Sequence, residues 1–289
     1  DYSQPPWLPV RFHGGIIGSV DMMATPNSRG ALREPWLLCS LLLCVAAACG
    51  GRAAEPAGTT PSPAAVASRV HRLYLESQHR WQQKTNSAEA AWRFARACFD
   101  WADLALDDAQ RAALAEQGIV ASRQAIQLQP NSAPAYYYLG LNLGQLAQTK
   151  RLSALKLVDQ MEEAWKRAIE LDETFDYAGP HRSLGLLYRD APAWSVGSRT
   201  KARQHLQKAV ELCPVYPGNR LGLLEAQLEW GETRAVQSQL AAMEEQLQSA
   251  RKKFTGEEWA RDWQDWDKRW RKIKARAVKA PARSPRDSR

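Results

Sequence analysis

One short pattern decides the fold of this 289-residue chain, because it returns three times along the sequence. It reads Ala125-Ile-Gln-Leu-Gln-Pro130, then Ala168-Ile-Glu-Leu-Asp172, then Ala209-Val-Glu-Leu-Cys-Pro214, at spacings of 43 and 41 residues. Two copies end in proline, which lacks an N–H group and stops a helix. Between residues 69 and 279 apolar side chains recur at steps of three and four, so the pattern predicts helices and no strands.

A second pattern places a glycine in the first helix of two of the predicted helix pairs. It occurs as Tyr136-Tyr-Tyr-Leu139-Gly140 and as His181-Arg-Ser-Leu184-Gly185. Glycine allows two helices to approach closely, and a helix pair that buries one face must stack on its neighbours. These residues resemble the tetratricopeptide repeat, with segments between the paired helices longer than in the ordinary 34-residue unit. The sequence therefore predicts an all-α solenoid of helical hairpins.

Helices are also predicted at both ends of this solenoid. A leading helix is expected over about residues 63–84, and a final one over about 256–279. The final helix carries one apolar stripe, made of Trp259, Trp263, Trp266, Trp270 and Ile273. The stripe either caps the last repeat, as an open solenoid end requires, or lies on an anionic membrane surface.

The first fifty residues predict a targeting segment. Arg29 and Arg33 precede a 13-residue apolar run, residues 36–48, which is too short to span a bilayer. A basic stretch, a short apolar stretch and small residues follow the order of a secretory signal peptide. The run ends at Cys49-Gly50 and resembles a bacterial lipobox, which implies lipidation of Cys49. The alternative is an ordinary signal peptide cut near Ala48.

Composition shifts divide the chain into six segments. We expect an upstream extension at 1–21, a lipoprotein signal peptide at 22–48, a flexible tether at 49–67, the solenoid at 68–250, a tryptophan-rich amphipathic helix at 251–279 and a disordered basic tail at 280–289. The net charge of +8 arises wholly from residues 251–289, which hold 14 Lys/Arg and 6 Asp/Glu. The body has no surplus charge to neutralise phosphates, so no nucleic-acid partner is predicted.

No motif for catalysis, a metal or a cofactor is found in the sequence. The five histidines are scattered, and neither a nucleophile elbow nor a phosphate-binding glycine loop is present. Cys98 and Cys213 are 115 residues apart, and each occupies a position suited to a small core residue. We therefore predict two buried, unpaired thiols and no enzyme activity.

A narrower resemblance rests on three stretches. They are Tyr177-Ala-Gly-Pro-His-Arg-Ser-Leu-Gly-Leu-Leu-Tyr-Arg-Asp-Ala-Pro-Ala-Trp194, Cys213-Pro-Val-Tyr-Pro-Gly-Asn-Arg220 and Trp230-Gly-Glu232. They resemble the TatT family, the T component associated with TRAP transporters. The resemblance covers roughly residues 85–245. It implies a periplasm-facing, membrane-anchored lipoprotein of the bacterial cell envelope that forms homo-oligomers such as trimers and associates with a substrate-binding subunit. Gly50 after Cys49 is compatible with sorting to the outer membrane, which is the favoured of the two membranes.

The same resemblance implies a site for a small hydrophobic or organic-acid ligand. The candidate residues are Tyr137, His181, Arg182, Tyr188, Arg189 and Trp194. An arginine beside aromatic rings can hold a carboxylate through paired donors. Two alternatives stay open: His181 serves packing, and Arg189 forms an ion pair with Asp190 or with another helix.

Three functional hypotheses follow. The first is an accessory lipoprotein of a TRAP-type transporter that binds or channels this ligand. The second is a general tetratricopeptide scaffold for envelope protein assembly. The third is attachment to a membrane or an anionic polymer through the basic C-terminal segment.

Overall fold

The computed structural model describes residues 62–150 and 154–279, and within them it contains helices and turns but no strand. The predicted all-α class is confirmed. The helices are α1 (Pro63–Gln83), α2 (Ala88–Ala102), α3 (Asp108–Leu128), α4 (Ala133–Thr149), α5 (Ala154–Leu171), α6 (Phe175–Asp190), α7 (Arg199–Leu212), α8 (Pro217–Glu229), α9 (Thr233–Gln237), α10 (Leu240–Lys253) and α11 (Ala260–Lys279). A 3-10 helix, Glu257–Trp259, precedes α11.

Several predictions fall outside the described residues: the upstream extension, the signal peptide, lipidation of Cys49 and the basic tail. The tether prediction overlaps the structure at its end. Helix α1 begins at Pro63, and the Ser62 hydroxyl caps it by accepting a hydrogen bond from the Ala65 N–H at 3.2 Å. Residues 63–67 are therefore helical, as the predicted leading helix requires. Within the described residues, no helix combines the length and apolar character needed to cross a bilayer.

Successive helices pack as hairpins: α2 with α3, α4 with α5, and α6 with α7. The first helices of neighbouring hairpins, α2, α4, α6 and α8, also contact one another in order. The fourth unit is built differently, because α8 packs on α9, α10 and α11. The extra residues between Gly140 and Met161 mainly lengthen α4 and α5, whereas the connection between α6 and α7 is the eight-residue turn 191–198.

Two glycines give the hairpins their close approach. A Cβ atom on Gly140 would overlap the fully buried indole of Trp165 on α5. A Cβ atom on Gly185 would lie 2.7 Å from Leu206 Cγ on α7, nearer than packed carbon atoms come. Ala125, the alanine of the first copy of the repeated pattern, is fully buried, as are its counterparts Ala168 and Ala209. The small residues of both patterns thus lie where helices touch.

The apolar core forms two main clusters. The larger one extends from α1 to the first hairpins and reaches Leu223 and Ala226 on α8. The smaller one joins α8, α10 and α11, and it contains Trp259, Trp266 and Trp270. Trp263 is partly buried against the same cluster, and its indole N–H donates to the Phe254 carbonyl at 2.7 Å. The tryptophan stripe therefore packs inward, which is the capping alternative.

Candidate functional site

A left-handed turn opens α6 and positions a buried polar network. Asp176, Tyr177 and Ala178 have φ values of 51°, 57° and 59°, a region that costs a non-glycine residue about 1–2 kcal/mol each. The right-handed helix then continues through Pro180, whose fixed φ suits a first turn. Such strain persists only where surrounding contacts hold it, and it is common at functional sites.

Arg182 holds this turn from inside the fold. Its guanidinium donates to Asn219 Oδ1 at 2.8 Å, to the Tyr177 carbonyl at 3.2 Å and to Asp176 Oδ2 at 3.3 Å. It also lies over the Tyr216 ring, 4.9 Å from the centroid. Asn219 donates in turn to the Tyr177 carbonyl at 3.0 Å. The network thus joins α6 to α8 at the boundary between the two apolar clusters.

Tyr137 belongs to this network and not to an open surface. Its side chain is fully buried, and its hydroxyl donates to Asp176 Oδ2 at 3.0 Å. Burial raises the pKa of Tyr137 well above its ordinary value, and the nearby Asp176 charge adds to this. Tyr137 therefore stays protonated as a donor. Among the three successive tyrosines, Tyr136 is the partly exposed one.

His181 faces a second histidine, His205 of α7, and their Nδ1 atoms are 2.9 Å apart. At neutral pH the Nδ1–H group of one ring donates a hydrogen bond to the unprotonated Nδ1 atom of the other, and the tautomers decide which ring is the donor. His181 Nε2 lies 3.4 Å from a Glu173 carboxylate oxygen. Burial lowers the pKa of His181, and burial together with the neighbouring His181 lowers the pKa of His205 to about 4. Within the part of the chain that the structure describes, no cluster of three or more metal-ligating side chains includes this pair.

This histidine pair predicts a loss of stability in mild acid. Both pKa values lie below the unfolded value of 6.5, so stability is full above pH 6.5 and declines as the pH falls towards 4. The charges facing the pair are Glu173 and Lys208 at His181, and Glu162, Lys166 and Lys201 at His205. Allowing for solvent screening, we expect a loss of about 1–2 kcal/mol, measured by urea unfolding across this range.

A matched pair of variants isolates this effect. His205→Gln should remove most of the loss, whereas His79→Gln, on the exposed side of α1, should leave it unchanged. The pKa of Glu162 lies below its unfolded value of 4.5, so its contribution to stability is lost only as the pH falls below about 4.5. If both variants decline like the wild type between pH 6.5 and 4, the histidine pair does not cause the loss.

The remaining candidate residues lie near the end of α6. The Tyr188 hydroxyl donates to Glu162 at 2.7 Å, and the Arg189 guanidinium contacts Asp190 at 2.5 Å and Glu229 at 3.4 Å. Arg189 thus makes both of the ion pairs that the sequence left as an alternative to ligand binding. The structure joins Tyr137 to Arg182, pairs His181 with His205, and keeps Trp194 apart on the turn 191–198.

Trp194 is 74% exposed on that turn. The turn is held by the Ser195 and Gly197 N–H groups, which donate to the Pro192 carbonyl at 2.9 and 3.1 Å. A hydrogen bond from the Ser198 N–H to the Tyr188 carbonyl, at 2.8 Å, closes it on α6. A large apolar ring is therefore presented to solvent by an anchored segment. At this exposure the ring lies on the surface of the described residues and is not enclosed by them.

A cavity of about 380 Å³ lies between α1, α2 and the 3-10 helix. Its lining combines apolar side chains with three basic and four acidic ones. The apolar residues include Val66, Val70, Leu73, Ala97 and Phe99, and the charged ones are Arg69, Arg72, Arg261, Asp100, Asp103, Glu257 and Glu258. An Arg261–Asp103 ion pair joins α11 to the end of α2. Arg69 makes no ion pair or hydrogen bond with any of the residues that the structure describes. The size and lining suit a small amphipathic molecule.

Sequence reasoning missed this cavity. Arg261 and Asp103, which both line it, are 158 residues apart, so no local spacing in the sequence links them. The cavity exists because the last helix reaches back to the first hairpin. The one signal in the sequence is that no acidic residue lies three or four positions from Arg69 on the predicted leading helix.

Comparison with known proteins shows the fold. A family profile described as "Regulator of microtubule dynamics protein 1-3" matches residues 67–187, less than half of the chain. No curated protein matches the sequence. Among the solved structures is a thermophilic TPR protein of Thermus thermophilus, 20% identical, with a TM-score of 0.54 over 72% of this chain and 92% of that one. This chain has the fold of a tetratricopeptide-repeat protein.

Proposed function

We propose that this protein is a non-catalytic accessory lipoprotein of a TRAP-type transporter, facing the periplasm. In this role it binds a small hydrophobic organic acid and docks a substrate-binding subunit. The observation that carries the proposal is the cavity beside Arg69. Its apolar side chains suit a hydrocarbon body, and Arg69, which has no carboxylate partner among the described residues, suits an acid group, although Asp100, Asp103, Glu257 and Glu258 also line the cavity. The resemblance of residues 177–232 to the TatT family supplies the transporter context, the lipid anchor at Cys49 and the homo-oligomer.

Docking of the subunit is assigned to Trp194. Exposed tryptophans on anchored segments commonly supply much of the binding energy of an interface. The six residues first predicted to bind the ligand stay a prediction, but the polar atoms of most of them are engaged within the fold. The cavity therefore takes precedence as the ligand site.

The test is thermal unfolding and calorimetric titration of the full chain with decanoate, with decanol as a ligand of similar shape that lacks the charge. Decanoate should bind and raise Tm. Arg69→Gln should weaken decanoate binding about tenfold and leave decanol unaffected. Arg80→Gln is the matched control, since Arg80 is exposed on the same helix outside the cavity. Equal decanoate affinity in the wild type and Arg69→Gln contradicts the proposal.

Two other functions compete with this one. A general scaffold for envelope protein assembly needs only the TPR-like fold, and crosslinking that captures assembly proteins with no transport protein would favour it. A microtubule-related role is favoured by the family profile, which covers α1 to α6. Co-sedimentation with polymerised tubulin tests that role.

A further inference from the structure

The outer side of α11 is rich in positive charge. Residues 268–279 hold seven Lys/Arg and no Asp/Glu. Two of these cations are paired: Arg269 with Glu225 at 2.8 Å and Lys274 with Glu244 at 2.9 Å. The other five form what we call the basic stripe: Lys268, Arg271, Lys272, Arg276 and Lys279.

Every side chain of the basic stripe is exposed, and none forms a salt bridge within residues 62–150 and 154–279. Two of the cations interact with acidic side chains at longer range, Lys272 with Glu225 and Arg276 with Glu229. Arg271 donates only to the Asp267 carbonyl, at 3.2 Å. At 100° per residue, Lys268, Lys272 and Lys279 fall within about 40° around the helix axis, over a length of about 17 Å. Five exposed cations that form no salt bridge with the described residues, on one side of one helix, make a compact positive surface.

The opposite side of α11 fixes this orientation. Trp266, Trp270 and Ile273 are buried in the smaller apolar cluster, 2%, 6% and 1% exposed. The helix therefore cannot turn its aromatic stripe towards a membrane without opening the fold. What it offers outward is charge, with Val278 as an exposed apolar side chain at 75%.

We propose that the basic stripe binds the surface of an anionic lipid bilayer. The complementary charge is supplied by anionic headgroups, which attract each nearby Lys or Arg. The outer side of a single helix is convex, which suits a broad anionic surface, whereas peptide recognition generally uses a groove or pocket. No tryptophan or tyrosine lies on the stripe to stack on nucleic-acid bases. The proposal does not depend on the transporter role.

The test measures partition of the full chain onto vesicles of phosphatidylcholine alone and of phosphatidylcholine with phosphatidylglycerol. The quantity is the ratio of the two partition constants, so that attraction common to both vesicles cancels. We expect the wild type to favour anionic vesicles and added salt to reduce the ratio. The variant Lys268→Gln/Lys272→Gln/Lys279→Gln should lower the ratio about a hundredfold, at about fivefold for each cation removed.

The matched control is Lys84→Gln/Lys150→Gln/Lys156→Gln, which makes the same change in net charge at exposed sites after the ends of α1 and α4 and on α5. It should keep the ratio within about threefold of the wild type, because distant charges are screened. An equal loss in both triple variants would overturn the proposal, as would a wild-type ratio near one. Stripe-dependent binding to duplex DNA or an acidic protein, without binding to anionic vesicles, would also overturn it.

Discussion

Replacing Arg182 with leucine is expected to lower the free energy of unfolding by about 3–5 kcal/mol, because it breaks a buried charged pair from one side. Arg182 is 4% exposed, and its guanidinium is bonded to Asp176, Asn219 and the Tyr177 carbonyl. Its loss removes a buried cation beside Asp176 and leaves Asn219 Oδ1 without its donor. It also releases the contacts that hold the left-handed turn.

The control for Arg182→Leu is Arg123→Leu, the same substitution on the exposed side of α3. Among the described residues, Arg123 hydrogen-bonds only to Gln160, at 3.3 Å, so its replacement should change stability by less than about 0.5 kcal/mol. Urea unfolding of both variants at neutral pH makes the comparison. Equal stability of the two would mean that the network does not support the fold.

Trp266→Ala is expected to cost about 3–5 kcal/mol, because it empties a large site in the smaller apolar cluster. Trp266 is 2% exposed and has ring contacts to Tyr216, Phe254, Trp259 and Trp263. Its removal should loosen α11 from α8, so we expect amide hydrogen exchange to rise in both helices. Thermal unfolding gives the size of the loss.

Trp194→Ala is the matched control, since the same atoms are removed from a ring that is 74% exposed. It should change stability by less than about 0.5 kcal/mol. If Trp266→Ala were as harmless as Trp194→Ala, the tryptophan stripe would not cap the solenoid, and its membrane alternative would be favoured.

The sequence predicted those parts of the fold that local periodicity controls. The spacing of Trp259, Trp266 and Trp270 predicted that these residues share one side of the final helix, and all three are buried. The small residues Gly140 and Ala168 were predicted to lie where helices touch, and both do. Helix α1 was expected over 63–84 and spans Pro63–Gln83. These features depend on residues a few positions apart, which is the range over which a sequence pattern is informative.

The candidate site was harder to predict, because its contacts join distant residues. Tyr137 was chosen as a ligand contact, yet it bonds to Asp176, 39 residues away, inside the fold. The left-handed turn at Asp176, Tyr177 and Ala178 has no glycine to signal it and is held by Arg182 and Asn219. The cavity beside Arg69 depends on α11 reaching α2, which no repeat pattern specifies.

The central claim is that helical hairpins nest at glycines to build the solenoid. Urea unfolding of Gly140→Ala and Gly222→Ala tests it most directly. A Cβ atom at Gly140 would overlap the Trp165 indole, which is held by a 3.2 Å hydrogen bond to the Tyr137 carbonyl, so we predict a loss of about 1–3 kcal/mol. At Gly222 the nearest atom, Leu206 Cδ2, is 3.6 Å away, so Gly222→Ala should be neutral or stabilising by up to about 1 kcal/mol. A Gly140→Ala protein as stable as Gly222→Ala would contradict the account.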